Sequence, residues 1–193
     1  RDFDWLESMW IKVLISNKQD QMIGKLFSIS ANMPKFLNRF PDAKVLYMVR
    51  DPLSVIPSGL SLVTGVLDKK FGFWSLNQKK RERFITRLYK ALVELLIRFH
   101  YDWTNNNIDK SKVMIVHFDR MMNDFEGLMS DITHFINIVP SENLISDIKK
   151  TAEQQRAFKS KHKYNLDKFN LTETQIKNDC AVIYKTFLNN NDE

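Results

Sequence analysis

The stretch KVLYMVR at residues 44–50 decides the fold class, because it is the clearest strand signal in the chain. Its nearly continuous apolar run, with β-branched and aromatic residues, is typical of a strand whose two faces are both covered. We therefore predict a central parallel strand. Asp51 can cap a following helix and Pro52 suits its first position, so the chain is expected to turn from strand to helix at Arg50.

Helices and strands are predicted to alternate on both sides of that strand. Upstream, the apolar patterns predict a helix over residues 4–16, a strand over 22–30 and a short helix over 35–40. Downstream, they predict a long amphipathic helix over 79–103, a second buried-type strand over 113–118 and a helix over 125–138. This order implies an α/β fold with a parallel sheet and right-handed crossovers.

Composition favours one globular unit. The chain has 193 residues, of which 44% are hydrophobic and 27% charged, and it contains neither a repeat nor a low-complexity linker. We treat residues 1–193 as a single, partial domain whose Asn-rich tail frays after about residue 188.

No apolar run reaches about 18 residues, the length of a membrane-spanning helix, and the start lacks an initiator Met and a signal peptide. We expect the chain to be a fragment of a longer protein.

Charge and cysteine content narrow the partners and the compartment. The formal net charge of +6 favours an anionic partner, such as a nucleotide, nucleic acid, sulfated sugar or membrane surface. Cys180 is the only cysteine, which excludes an intrachain disulfide and a Cys-based zinc site within the chain. The histidines lack metal-ligand spacing, so we predict no metal. A reducing, cytoplasmic location is expected, or the Golgi lumen if a membrane anchor lies upstream.

The end of the 44–50 strand is the strongest candidate for a binding site. In open parallel sheets, ligands bind beyond the carboxyl ends of the strands, where Arg50 stands before a helix N-terminus. A phosphate there is expected to meet a fixed cation and free backbone N–H groups, and the Ser58 hydroxyl, eight residues on, can reach the same anion. The alternative is a solvated strand end with Ser58 as a cap. Pro57 removes one backbone donor and predicts a kink.

The sequence FPDAKVLYMVRDP at residues 40–52, followed by Ser58, resembles the 3′-phosphate-binding segment of sulfotransferases. The resemblance extends from Lys25 to Glu173 and is closest in pattern to bacterial-type and tyrosylprotein sulfotransferases. It implies a three-layer parallel sheet of the P-loop nucleotide-hydrolase type. It also implies that Arg50 and Ser58 bind the 3′-phosphate of 3′-phosphoadenosine 5′-phosphosulfate, whose product is adenosine 3′,5′-bisphosphate.

The same resemblance assigns a catalytic lysine. Lys25 stands sixteen residues before Pro41, matching a strand-borne lysine that helps to stabilise charge on the transferred sulfuryl group. Such a role suits in-line sulfuryl transfer, which requires positive charge near the bridging and equatorial oxygens. The alternative is a strand-edge lysine in water. The sequence continues LFSIS, without the His or Pro of many relatives, so no general base is carried over.

A basic segment near the C-terminus resembles the C-terminal segment of the same enzymes. In it, Lys161, His162 and Tyr164 can line an adenine and phosphate site if the tail folds back over the nucleotide. The alternative is a basic, solvated loop.

The glycine-rich loop that holds the 5′-phosphosulfate in this family is not found in the chain. Its five glycines, at positions 24, 59, 65, 72 and 127, form no GxxxxGK[ST] motif. The first strand and that loop are therefore expected upstream, unless the protein works without them. We expect a sulfotransferase acting on an acceptor hydroxyl or amine, or a non-catalytic nucleotide- or glycan-binding module derived from one. The chain has no recognised nucleic-acid motif, so nucleic acid is not an expected partner.

Overall fold

The strand predicted at residues 44–50 forms over Val45–Val49, within a chain that is mostly helical. The computed structural model describes residues 2–157 and 165–189. Its elements, in chain order, are α1 (Asp2–Asn17), α2 (Met33–Arg39), β1 (Val45–Val49), α3 (Pro52–Phe71), α4 (Gln78–Thr104), β2 (Val113–His117), α5 (Phe118–Asn123), α6 (Phe125–Phe135), α7 (Glu142–Ala157), α8 (Glu173–Asp179) and α9 (Ala181–Ile183), which a π-helix continues over Tyr184–Leu188. Short 3-10 helices occupy Phe27–Asn32, Phe73–Ser75, Lys110–Lys112 and Asp167–Phe169.

The two strands pair in parallel, as the strand–helix order predicted. Their register runs from Val45 opposite Val113 to Val49 opposite His117, so both strands end at the same level. The chain between them passes through α3 and α4, which satisfies the need of a parallel pair for a long crossover. This helix-rich α/β arrangement confirms the predicted class at a coarse level. Within the described ranges the sheet has two strands.

The prediction of a strand over residues 22–30 is wrong. Residues 21–26 have no regular structure, and Phe27–Asn32 forms a 3-10 helix that packs against α4. Leu26 and Ile29, three positions apart, are the residues that contact the core, which fits three residues per turn rather than the alternation of a strand. The short apolar run was ambiguous in periodicity, and contact with α4 decided it.

One face of β1 is covered, whereas the sequence predicted cover on both. On the covered face, Tyr47 stacks on Phe99 of α4, with ring centroids 3.4 Å apart and an interplanar angle of 8°. On the opposite face, Leu46 and Met48 remain 43% and 47% exposed. In the described part of the chain β1 also has a neighbour on one edge only, so the expected central strand is an edge strand here.

Local signals explain where the two long helices begin and end. Asp51 caps α3, because its carboxylate accepts a hydrogen bond from the backbone N–H of Leu53 at 2.8 Å. Gly72 ends α3 in the left-handed conformation, with φ 62°, which glycine adopts without steric penalty. The helix continues on both sides of Pro57. Asn77 caps α4 in the same manner as Asp51 caps α3.

The C-terminal segment, which comprises α8, α9 and the π-helix, packs against the main hydrophobic core. Phe187 of the π-helix lies 6.1 Å from Phe99, ring centre to ring centre, and Ile183 is buried beside it in the same cluster. Cys180 is fully buried, and burial raises the pKa of its thiol to about 11. The thiol is therefore neutral at physiological pH and packs as a small apolar group. Among the described helices, none combines the length and apolar character needed to span a membrane.

A histidine at this junction is expected to make stability depend on pH. His100 of α4 hydrogen-bonds the Thr186 hydroxyl at 2.9 Å, and burial lowers the pKa of its imidazole. The unfolded chain therefore takes up a proton more readily than the folded chain, and the free energy of unfolding should fall as the pH drops below about 6.5. Thermal unfolding at a series of pH values, compared with His100→Gln, measures this. The variant keeps a hydrogen-bonding side chain but does not titrate, and an identical pH dependence in both proteins would contradict the assignment.

Candidate functional site

Arg50 directly follows the end of β1, and its guanidinium has no ion-pair partner among the described residues. Because Val49 lies opposite His117, the next residues, Arg50 and Phe118, emerge side by side at the carboxyl edge of the sheet. The Arg50 guanidinium lies over the Phe118 ring, 3.9 Å from its centroid, in a cation–π contact that fixes its plane. Among the described residues no carboxylate forms an ion pair with Arg50. Its N–H fork is thus oriented by stacking and can bind an anion bidentately.

The start of α3 contributes fewer donors than the sequence suggested. Pro52 has no N–H, Leu53 N donates to the Asp51 carboxylate, and Ser54 N and Val55 N both donate to the Asp51 carbonyl oxygen, at 2.8 and 3.0 Å. The expectation of free backbone N–H groups at this helix N-terminus is therefore wrong. The capping carboxylate and the first turn satisfy these groups internally. An anion at this edge depends on side-chain donors.

Ser58 lies deeper in the helix than the first turn. It is the seventh residue of α3, about 10 Å along the helix axis from Asp51, and it is half-buried. Ser54, Ser58 and Leu62 follow each other at four-residue steps and share one face of α3, on which Leu62 is exposed. Ser54 and Ser58 are both half-buried on this face, and Ser54 adds a second hydroxyl that the sequence did not single out. No hydrogen bond joins Ser58 to Arg50 among the described residues.

Lys25 lies in the irregular stretch before the first 3-10 helix, not on a strand. It is exposed, and in the described part of the chain no carboxylate forms an ion pair with it. The prediction that a strand carries it is wrong, for the same reason that residues 22–30 do not form one. Its catalytic role stays a prediction. Lys161, His162 and Tyr164 lie outside the described residues, so their predicted part in a nucleotide site also stays a prediction.

Two residues of this edge were missed by sequence reasoning. Phe118 could have been found, since a parallel pair that ends in register places the residue after the second strand beside Arg50. Tyr184 carried no such signal: its hydroxyl donates to the Asp51 carboxylate at 2.6 Å across 133 positions of the chain. Burial and then the Asp51 carboxylate raise the pKa of Tyr184, so the hydroxyl remains a donor. Sequence spacing does not encode that contact.

The charged side chains of the described residues form no metal centre. No group of three or more His, Cys, Asp or Glu side chains in residues 2–157 and 165–189 is arranged to hold a metal ion. The Asp51 carboxylate is already used in two structural contacts, since it caps α3 and accepts a hydrogen bond from Tyr184. What the edge offers chemically is a cation with an oriented fork and hydroxyl groups on α3.

Comparison with models of protein families identifies the family of the chain. The model of the sulfotransferase family matches residues 6–143, which is 138 of the 193 residues. The match includes Lys25, Arg50 and Ser58 and ends before the basic segment around Lys161. No curated protein and no solved structure matches the chain. Since the match covers more than two thirds of the sequence, the chain belongs to the sulfotransferase family.

Proposed function

We propose that this chain binds the 3′-phosphate of 3′-phosphoadenosine 5′-phosphosulfate and serves in transfer of its sulfuryl group to an acceptor hydroxyl or amine. Membership of the sulfotransferase family supports sulfuryl transfer as the general chemistry. The choice of donor rests on the surroundings of Arg50. Its guanidinium has no carboxylate partner in the described chain, and Phe118 holds it at the edge where parallel sheets bind ligands.

In this proposal each residue of the candidate site has a separate role. Arg50 binds two phosphate oxygens with its N–H fork, which a lysine cannot do in the same geometry. The hydroxyl of Ser58 donates to the same phosphate. Lys25 supplies positive charge near the sulfuryl oxygens as the bond to the donor breaks. Lys161 and Tyr164 are proposed to line the adenine side.

We further propose that β1 and β2 belong to a three-layer parallel sheet of the P-loop type, with residues 1–193 as one part of that domain. The open face of β1 supports this. Leu46 and Met48 are apolar, nearly half exposed, and part of a run that reads as a strand covered on both sides. The described edge of β1 that has no neighbour is free to pair with a further strand.

Calorimetric titration with two matched nucleotides tests the proposal. Adenosine 3′,5′-bisphosphate should bind the chain tighter than adenosine 5′-monophosphate by about ten- to 150-fold, the scale of charge-assisted hydrogen bonds to one added phosphate. The two ligands differ only in the 3′-phosphate, so the ratio isolates its contribution. Equal affinity for both, or binding of neither, would overturn the assignment of the site.

A second candidate function is a binding module without transferase activity. The observation that favours it is the lack of a glycine-rich phosphate loop among the five glycines of the sequence. It predicts the same preference for the bisphosphate but no sulfation of any acceptor. Assays of donor turnover with a panel of phenols, amines and glycans distinguish the two.

A further inference from the structure

A hydrogen bond connects Tyr184, near the end of the described chain, to Asp51, the residue that follows Arg50. The hydroxyl of Tyr184 donates to Oδ1 of Asp51 at 2.6 Å, and the same oxygen accepts from Leu53 N at 2.8 Å. Asp51 thus caps α3 and accepts the Tyr184 hydroxyl at the same oxygen. The contact joins residues 133 positions apart, and no local feature of residues 50–58 requires it.

Tyr184 is rigidly placed. It opens the π-helix, whose backbone closes with a bond from Asn189 N to Tyr184 O at 2.8 Å. Its neighbours Ile183 and Phe187 are buried in the main core, and Phe187 packs on Phe99, which itself stacks on Tyr47 of β1. Single π-helical turns often occur at functional sites. The hydroxyl therefore has a fixed position relative to the strand that carries Arg50.

The position of the Tyr184 hydroxyl matters because of the charges next to it. Asp51 is the carboxylate nearest to Arg50 in the sequence, and a carboxylate free to turn would compete with a phosphate for the guanidinium and repel the anion. Two hydrogen bonds, from Leu53 N and the Tyr184 hydroxyl, meet at Oδ1 of Asp51 and restrict the rotation of its carboxylate. Arg50 is accordingly left stacked on Phe118 with no ion pair in the described chain.

We infer that Tyr184 is a positioning residue for the nucleotide site: through its hydrogen bond to Asp51 it holds that carboxylate on the helix cap and keeps Arg50 available for the 3′-phosphate. This inference rests on the proposed function and adds to it a residue from the far end of the chain. Tyr184 touches neither the phosphate nor the reacting atoms. Its effect should appear in affinity for the 3′-phosphate and not in affinity for the rest of the nucleotide.

The test is Tyr184→Phe, which removes the hydroxyl and keeps the ring. We expect adenosine 3′,5′-bisphosphate to bind about three- to tenfold more weakly, the range of one ordinary hydrogen bond, because Tyr184 acts on the phosphate only through Asp51 and Arg50; adenosine 5′-monophosphate should bind unchanged. The chain offers a matched control in Tyr89→Phe. Tyr89 makes a hydrogen bond of the same length, 2.6 Å, to a different carboxylate, that of Asp179 in α8. Tyr89→Phe should lower the melting temperature by a similar amount without weakening the binding of adenosine 3′,5′-bisphosphate.

A double-mutant cycle makes the test specific to the pair. With Asp51→Asn the carboxylate charge is gone, so the effect of adding Tyr184→Phe should shrink to less than about twofold, the limit of additivity for uncoupled sites. Equal losses in Tyr184→Phe and Tyr89→Phe, or an undiminished loss in the Asp51→Asn background, would show a general loosening of the fold and overturn the inference. Unchanged affinity in Tyr184→Phe would overturn it while leaving the Arg50 site in place. Failure of the wild-type chain to prefer the bisphosphate would overturn both.

Discussion

Replacement of Arg50 by alanine is expected to weaken binding of adenosine 3′,5′-bisphosphate by about 1.5–3 kcal/mol, or roughly ten- to 150-fold. The reason is geometric as well as electrostatic. Stacking on Phe118 fixes the guanidinium plane before a ligand arrives, so little side-chain entropy is lost on binding. The backbone donors of the first turn of α3 are already satisfied by Asp51, so no nearby N–H group can replace the lost fork. Isothermal titration measures the loss directly.

Two control variants separate geometry from charge. Lys44→Ala removes one positive charge from the opposite end of the same strand, where Lys44 donates to the Ser111 carbonyl oxygen at 2.9 Å, and it should leave affinity nearly unchanged. Arg50→Lys keeps the charge but loses the fork and the stacking on Phe118, and it should recover only part of the affinity. If Lys44→Ala weakened binding as much as Arg50→Ala, the effect would be one of net charge, and Arg50 would not be the binding residue.

The largest effect on stability is expected from Phe99→Ala. Phe99 is fully buried and contacts Tyr47 of β1, Trp103 of α4 and Phe187 of the C-terminal segment. Removal of its ring leaves a cavity at the junction of these elements, and Phe→Ala changes at such sites lower the free energy of unfolding by about 3–5 kcal/mol. Chemical denaturation, with the midpoint and slope fitted together, measures the change.

The chain offers a matched surface control for that change. Phe71, the last residue of α3, is 73% exposed, and Phe71→Ala should alter the free energy of unfolding by no more than about 0.5 kcal/mol. Phe99→Leu, which fills part of the space, should fall between the two. A loss in Phe99→Ala no larger than that in Phe71→Ala would show that the stacked contact with β1 does not hold the sheet to α4.

Much of the fold and half of the candidate site could be predicted because the signals were local. The turn from β1 into α3 at Arg50, with Asp51 as cap and Pro52 first in the helix, depends on residues that touch each other in the chain. The long helix α4 followed from apolar residues at three- and four-residue steps. Arg50 was identified because ligands bind beyond the carboxyl ends of parallel strands and because residues 40–52 with Ser58 resemble a sulfotransferase segment.

The rest was decided by contacts between distant residues. The run over residues 22–30 is as apolar as a strand, and only packing against α4 made part of it a 3-10 helix and left Lys25 off the sheet. The free N–H groups expected at α3 are used by Asp51, whose carboxylate also depends on Tyr184.

By itself, then, the sequence determined strands β1 and β2, the helices α1, α3, α4 and α6 and the cation at the strand end, because periodicity, capping and turn preference act within a few residues. Only the tertiary structure decided that Phe118 stacks on Arg50, that Tyr184 holds Asp51 and that one face of β1 stays open. Those features depend on strand register and on helix packing across up to 133 positions. Such contacts form when burial of the shared core outweighs the entropy lost in ordering the chain, and no short stretch of sequence records that balance.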